Sequence, residues 1–402
     1  MTAIPLAPPV PHSPTTAPNA LLATYRRAPM ELVRGEGCEL FDADGHSYLD
    51  FASGIAVNAL GYDDPGIRAA MVAAMDTGLI HVSNLYRTAP GAQLARALVE
   101  RSFAASVFFC NSGAEANEGA FKFARRWARV LGGPAKHEII ALRGGFHGRL
   151  FASLAATDRP AYRAPFRPLA GGVSIGERSL AELDTLLDAE TVAAVIVEPV
   201  QGESGVRVLE ADFLRGLREM TSARGIALIF DEVQCGLGRT GHLFAYERPG
   251  VVPDLLTLAK PLAGGLPMGA VLLAEHIASS IQPGDHGTTF GGGPFVSSVA
   301  LHVLERLSDP DLLARVRDDG SWFGGELNRM ARSGARVRAV RGLGFMWGID
   351  VVASASEVVS RALTAGLLVC TAGEHTVRLL PPLVATRDDL QRGLSMLADA
   401  LE

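Results

Sequence analysis

Short apolar runs alternate with amphipathic stretches along the middle of this chain. Ser106–Cys110, Glu138–Leu142, Val192–Val197, Ile226–Phe230, Leu255–Ala259 and Gly269–Leu273 are nearly continuous apolar segments of strand length. Between them, Ala114–Leu131, Ser179–Leu187 and Ala211–Arg224 carry apolar residues at helical spacing. In the first of these, Phe123, Trp127, Val130 and Leu131 are expected on one face. Strands that are apolar on both faces, alternating with such helices, predict an α/β layer on a mainly parallel sheet.

The two ends read differently. Asp42-Ala43-Asp44-Gly45 is a turn signal between Cys38–Phe41 and Ser47–Phe51, which predicts a hairpin. Ser53–Gly61 then leads towards a helix at about 65–77. Near the C-terminus, helices are expected over Val296–Leu307, Asp311–Ala331 and Glu357–Ala365, and a strand over Thr376–Leu380. Strands between Val337 and Val351 are expected to break at Gly342, Gly344 and Gly348. The last helix opens with Thr386-Arg387-Asp388-Asp389, close to a capping box, and carries a stripe of Leu390, Leu394, Leu397 and Leu401. The pattern divides the chain into a large α/β domain (61–295) and a smaller α+β domain (296–402), with a segment (20–60) that packs with the smaller one. Residues 1–19 hold Pro5, Pro8, Pro9, Pro11, Pro14 and Pro18, so a disordered or extended arm is expected there.

Composition narrows the possible functions. Of 402 residues, 48% are hydrophobic, enough for a large core and two domains. The net charge of −6, from 37 Lys and Arg against 43 Asp and Glu, argues against a nucleic-acid partner. No apolar run reaches the roughly 20 residues of a membrane span. The proline-rich arm has no basic and apolar regions of a secretory signal, so the cytoplasm is the expected location. Cys38, Cys110, Cys235 and Cys370 are far apart with no CxxC pair, and read as buried thiols in a reducing compartment. The histidines show no metal-ligand spacing, so no metal is expected.

Candidate chemistry gathers at strand ends. Glu198-Pro199-Val200-Gln201-Gly202-Glu203, Asp231-Glu232-Val233-Gln234 and Lys260 each follow an apolar strand, the edge at which open α/β sheets bind ligands. Asn111-Ser112-Gly113-Ala114-Glu115-Ala116-Asn117-Glu118 joins a strand to a helix, so Ser112 and Gly113 offer backbone N–H groups to an anion or take ordinary capping roles. Phe146-His147-Gly148-Arg149 offers a ring to stack on a flat group and a guanidinium to fork a carboxylate. Asp231 and Lys260 suit a pyridine cofactor. A carboxylate beside the ring nitrogen holds its proton, and a desolvated lysine amine forms the imine and later moves a proton. Gly236-Leu237-Gly238-Arg239-Thr240-Gly241 matches a dinucleotide fingerprint but lacks the helix that must follow. His286–Pro294 is a glycine-rich loop with two hydroxyls, a flexible turn or a source of phosphate ligands.

From Tyr25 to the C-terminus these motifs resemble, in order and content, the class III pyridoxal-phosphate-dependent aminotransferases of fold type I. The stretches that carry the resemblance are SGIAVNALG, HVSNLYRT, NSGAEANE, FHGR, EPVQGE, DEVQCGLGRTG, AKPLAGGLPMGA and HGTTFGG. The resemblance implies that Lys260 binds the cofactor covalently and that Asp231, with Glu232, Val233 and Gln234 around it, faces the ring. It implies stacking by Phe146 and phosphate binding by Ser112, Gly113 and Ala114, joined by Thr289 of a second subunit, hence a homodimer. Arg149, Thr288, the pair Glu203 and Arg378, and Tyr25 at the entrance are the implied substrate residues. The implied reaction passes the terminal amino group of N2-acetylornithine to 2-oxoglutarate. Succinylornithine, ornithine, 4-aminobutyrate and acylated lysine precursors are alternative donors, and a non-catalytic cofactor-binding protein is the alternative outside enzymes. Gly293 and Leu150 stand where the family usually has asparagine and threonine.

Overall fold

Seven strands form the central sheet of the structure, a computed structural model that describes residues 20–334 and 336–402. The expected proline-rich arm at 1–19 lies outside the described residues. The strands are β1 (Ser106–Cys110), β2 (Glu138–Leu142), β3 (Val173–Gly176), β4 (Val192–Val197), β5 (Ala227–Asp231), β6 (Leu255–Leu258) and β7 (Gly269–Leu273). Their spatial order is β1-β7-β6-β5-β4-β2-β3. Neighbours from β6 to β3 are parallel, and β7 runs antiparallel to both β6 and β1. Every residue of β4, β5, β6 and β7 is buried, which explains their unbroken apolar sequences. Each buried Val, Leu or Ile side chain contributes about 1.5–3 kcal/mol, so this sheet is the rigid platform for the strand ends.

The helix α1 (Gly113–Gly132) lies across that platform on only part of the face expected from its large residues: Phe123 is buried and Trp127 half-buried. Val130 and Leu131 are exposed. The buried face is Ala116, Asn117, Gly119, Ala120, Phe121, Phe123, Ala124 and Ala128. Small side chains let the helix approach the sheet closely: a Cβ on Gly119 would sit 3.4 Å from Val271 Cγ2.

The expected hairpin pairs Glu39–Phe41 with Ser47–Leu49. The strand Ser47–Asp50 also pairs with Leu367–Leu368, and Ser53 Oγ donates to Leu380 O at 2.6 Å, so the N-terminal segment packs on C-terminal elements. A second four-stranded sheet combines Val337–Leu343, Met346–Val351, Thr376–Leu379 and Cys370–Thr371. Of the three glycines expected to interrupt its first hairpin, only Gly344 lies in the turn. Gly342 and Gly348 stay inside strands for lack of space: a Cβ on Gly342 would meet Met346 O at 2.3 Å, and one on Gly348 would meet Gly205 O at 3.0 Å. The last helix, Arg387–Leu401, has its full capping box: Thr386 Oγ1 accepts from Asp389 N and Asp389 Oδ2 from Thr386 N.

Three differences from the sequence reading, and the places of two unusual residues, follow from context. The helix Ala89–Glu100 went unpredicted because its buried positions are only Leu94 and Leu98. Strand β3 has only four residues and one buried position. Cys38, Cys110 and Cys235 are buried free thiols, but Cys370 is only half-buried, and its Sγ accepts from Arg378 Nε at 3.4 Å. Leu150 and Gly293, the two departures from the family pattern, both occupy helix N-caps without a side-chain cap bond. Among the described residues, no helix is long and apolar enough to cross a membrane.

Candidate active site

The C-terminal ends of β4, β5 and β6 and the N-terminus of α1 surround a cavity of about 330 Å³. Its lining includes Ser112, Gly113 and Ala114, Phe146 and Val233, and Asp231, Gln234, Glu203 and Lys260. The α1 terminus is built for an anion. Ser112 caps it by accepting from Glu115 N at 3.2 Å, and the N–H groups of Gly113 and Ala114 belong to the first turn, which has no intrahelical acceptors. Glycine is required at 113, because a Cβ there would lie 2.6 Å from Val233 Cγ1.

Lys260 follows β6 and opens a short 3₁₀ turn, Lys260–Ala263, with φ of +37°. That left-handed value is strained for a lysine and turns the side chain off the strand direction into the cavity. Desolvation holds its amine below the ordinary lysine range, with Asp231 pulling the other way. Asp231 ends β5. Its Oδ2 accepts from Asn117 Nδ2 and His147 Nδ1, both at 2.8 Å, and its Oδ1 accepts from Val233 N at 3.1 Å.

Glu203 and Arg378 form an ion pair of 2.8 Å at the cavity edge. Arg378 Nη1 also donates to Gly202 O at 3.0 Å and Gln234 Oε1 at 3.1 Å, and the residue is only 1% exposed. Gly202 is another enforced glycine, since a Cβ would fall 1.9 Å from Gln234 Oε1.

The remaining expected residues lie elsewhere. Arg149 is exposed and outside the cavity lining; its guanidinium stacks over Tyr162 at 3.6 Å and stands 5.8 Å from the centre of the Phe146 ring. Glu232 points away from the cavity and accepts from Ala245 N and Tyr246 N; burial pushes its carboxyl up to about 8. Thr288 accepts from Asn111 Nδ2 at 3.2 Å, whereas Thr289 is exposed and outside the cavity of its own chain. Tyr25 is 76% exposed and does not line it either. The fingerprint-like loop 236–241 is a tight turn rather than the start of a helix, with Leu237 at φ of +52°. Its Arg239 donates to Phe345 O and Pro381 O and so ties the central sheet to C-terminal elements.

Sequence reasoning gave no role to Asn117, His147 or Glu198, although all three line the cavity and lie inside the motifs quoted above. Asn117 is four residues after Gly113, on the same helix face, and that spacing was the usable signal. Glu198 accepts from Phe146 N at 2.8 Å and Gly202 N at 3.3 Å, and burial pushes its carboxyl up to about 7. A second signal was also present: lysine occurs only at positions 122, 136 and 260.

The site therefore combines an anion cradle, an aromatic ring in the cavity wall, a buried carboxylate, and an amine whose pKa burial lowers. Known proteins resemble the chain over nearly its full length. The family model described as Aminotransferase class-III matches residues 22–401. A mitochondrial acetylornithine aminotransferase of Alnus glutinosa is 47% identical over 96% of this chain and 86% of its own length. A succinylornithine transaminase of Yersinia enterocolitica is 41% identical over 98% of this chain and 97% of its own. A solved ornithine aminotransferase from Toxoplasma gondii, with partial occupancy of pyridoxal phosphate at its active site, superposes with a TM-score of 0.91 at 28% identity, covering 95% of this chain and 92% of its own. By its sequence and its architecture, the chain belongs to the class III aminotransferases.

Proposed function

We propose that this aminotransferase moves the δ-amino group of N2-acetylornithine to 2-oxoglutarate, giving N-acetylglutamate semialdehyde and glutamate, with pyridoxal phosphate as its cofactor. The observation that carries the reading is the joint placement of Lys260 and Asp231 in one cavity below an anion-ready helix terminus. These residues fit the cofactor. The first-turn N–H groups of α1 suit its phosphate, the apolar side chains of Phe146 and Val233 in the cavity wall suit its ring, and Asp231 suits its pyridine nitrogen. When bound, pyridoxal phosphate supplies an electrophilic carbonyl carbon and an electron-accepting ring.

The chain supplies the rest. Lys260 holds the cofactor covalently and, once displaced, moves a proton at the carbon that bears the amino group. Its desolvation favours the neutral amine this requires. With the cofactor bound, Asp231 would hold the ring-nitrogen proton, Gln234 would serve the ring hydroxyl, and Phe146 would exclude water from one ring face. We assign the substrate α-carboxylate to Arg149, whose guanidinium stands 5.8 Å from the centre of the ring of Phe146, a residue of the cavity wall. Arg378, released from Glu203, takes the second carboxylate of 2-oxoglutarate. We further propose a homodimer in which Thr289 of the partner subunit joins the phosphate. Exposed Ile80, Leu85, Tyr86 and Phe290 support this reading, since Asn84 Nδ2 donates to Thr288 O and brings these apolar side chains into one region. The cytoplasm remains our location for the protein.

A glutamate-release assay over N2-acetylornithine, N2-succinylornithine, ornithine and 4-aminobutyrate tests the donor. The highest kcat/KM is expected for N2-acetylornithine, and a clear preference for 4-aminobutyrate overturns the reading. Succinylornithine is the second reading, favoured by the 41% identity to the Yersinia transaminase.

A further inference from the structure

We infer that Asn117 and Thr257 are positioning residues that fix the hydrogen-bond polarity of Asp231 and its distance from the α1 anion cradle. The inference rests on the reading of Asp231 as partner of the ring nitrogen. Asn117 is 1% exposed and Thr257 is fully buried. Asn117 Nδ2 has two hydrogens and two neighbours, His147 O and Asp231 Oδ2, both at 2.8 Å. A carbonyl and a carboxylate only accept, so both hydrogens are committed and the amide can face only one way. That leaves Asn117 Oδ1 towards Thr257 Oγ1 at 2.8 Å, where the threonine must donate. A flipped amide would set its oxygen against two acceptors in a buried site, each contact an unmet hydrogen bond.

The sheet places Thr257 for this task. Asp231 and Thr257 are paired residues on the parallel strands β5 and β6. Asn117 reaches both from α1, one turn beyond the Gly113 and Ala114 donors. One side chain thus joins the helix whose terminus receives the phosphate to the carboxylate that receives the ring nitrogen. With Asn117 and His147 both on Oδ2, Oδ1 keeps a free lone pair for the ring. The titratable groups facing Asp231 are Lys260, His147, Glu198, Glu232 and Cys235, and substitutions at 117 and 257 leave all five in place.

The test uses holoenzyme and follows the visible absorbance of the lysine-bound cofactor against pH. Asn117→Leu removes one donor to a charged acceptor, a change of about tenfold in an equilibrium. The titration midpoint should move upward by about one pH unit, and kcat should fall about tenfold with KM for the amino donor nearly unchanged. Thr257→Val should move the midpoint the same way by less, and Thr257→Ser, which keeps the hydroxyl, should restore it. Should Asn117→Leu not fold, the Thr257 pair decides alone. Variants that retain the band with an unmoved midpoint overturn the inference. Absence of the band from wild type instead overturns the proposed function.

Discussion

Glu203→Ala tests the proposed switch between the two proposed substrates, in which Arg378 leaves Glu203 for 2-oxoglutarate. Glu203 Oε1 lies 2.8 Å from Arg378 Nη1, with 26% of the Glu203 side chain exposed against 2% for Arg378. Breaking a fully buried pair costs about 3–5 kcal/mol. Here the glutamate is partly solvated, and Arg378 keeps its bonds to Gly202 O and Gln234 Oε1. The loss is therefore nearer the about 1.5–3 kcal/mol of one hydrogen bond to a charged group. Wild type must give up this bond whenever Arg378 turns to the second carboxylate of 2-oxoglutarate. The variant has nothing to give up, and every 1.4 kcal/mol is a factor of about ten. The 2-oxoglutarate half-reaction should gain about tenfold or more in kcat/KM. The amino-donor half-reaction should lose a comparable factor, because an unpaired guanidinium then borders the site of an uncharged acyl chain. Single-turnover measurements of each half-reaction separate the two. Equal losses in both refute the switch and leave Glu203 a structural residue.

Two further outcomes follow from close packing and from burial. Gly202→Ala puts a methyl 1.9 Å from Gln234 Oε1, so Gln234 must leave Arg378; activity should drop at least about tenfold with a stability loss of about 1–3 kcal/mol, and kinetics within twofold of wild type would contradict it. Glu198, raised to about 7 by burial, favours folding while protonated, so its contribution is fully present below its ordinary value of 4.5 and is lost as pH rises through about 7. Glu198→Gln should flatten the fall of Tm between pH 5 and 7, and a wild-type-to-variant difference constant across that range would refute the assignment.

The strands of the central sheet were legible as apolar runs. Strands β1, β2, β4 and β7 match their expected bounds, and β5 and β6 differ from theirs by one residue, since an apolar run marks a strand whether or not both of its faces are fully buried. The face of α1 was legible only in part, since its packing depends on Gly119 and on alanines, which carry little hydrophobic signal. Lys260 and Asp231 could be read because two chemically matched groups followed adjacent apolar strands. His147 could not, and Asn117 only as a residue on the helix face of Gly113, because their roles are in hydrogen bonds to Asp231 from 84 and 114 positions away along the chain. Arg149 illustrates a third case: its chemistry is evident in sequence, but its stacking on Tyr162 appears only in three dimensions.

Covalent attachment of the cofactor at Lys260 is the most direct test of the whole account. The chain makes the measurement unusually clean, because Lys122, Lys136 and Lys260 are its only lysines. Lys136 is buried with its amine donating to Ala189 O and Arg224 O, and Lys122 is exposed with its amine against His286. Purified protein should be reduced with borohydride, digested and mapped by mass spectrometry. The account predicts a single peptide carrying the reduced cofactor, the one that contains Lys260, and no such peptide from Lys260→Ala. Attachment at Lys122 or Lys136, or no cofactor on any lysine of the wild-type protein, would contradict it.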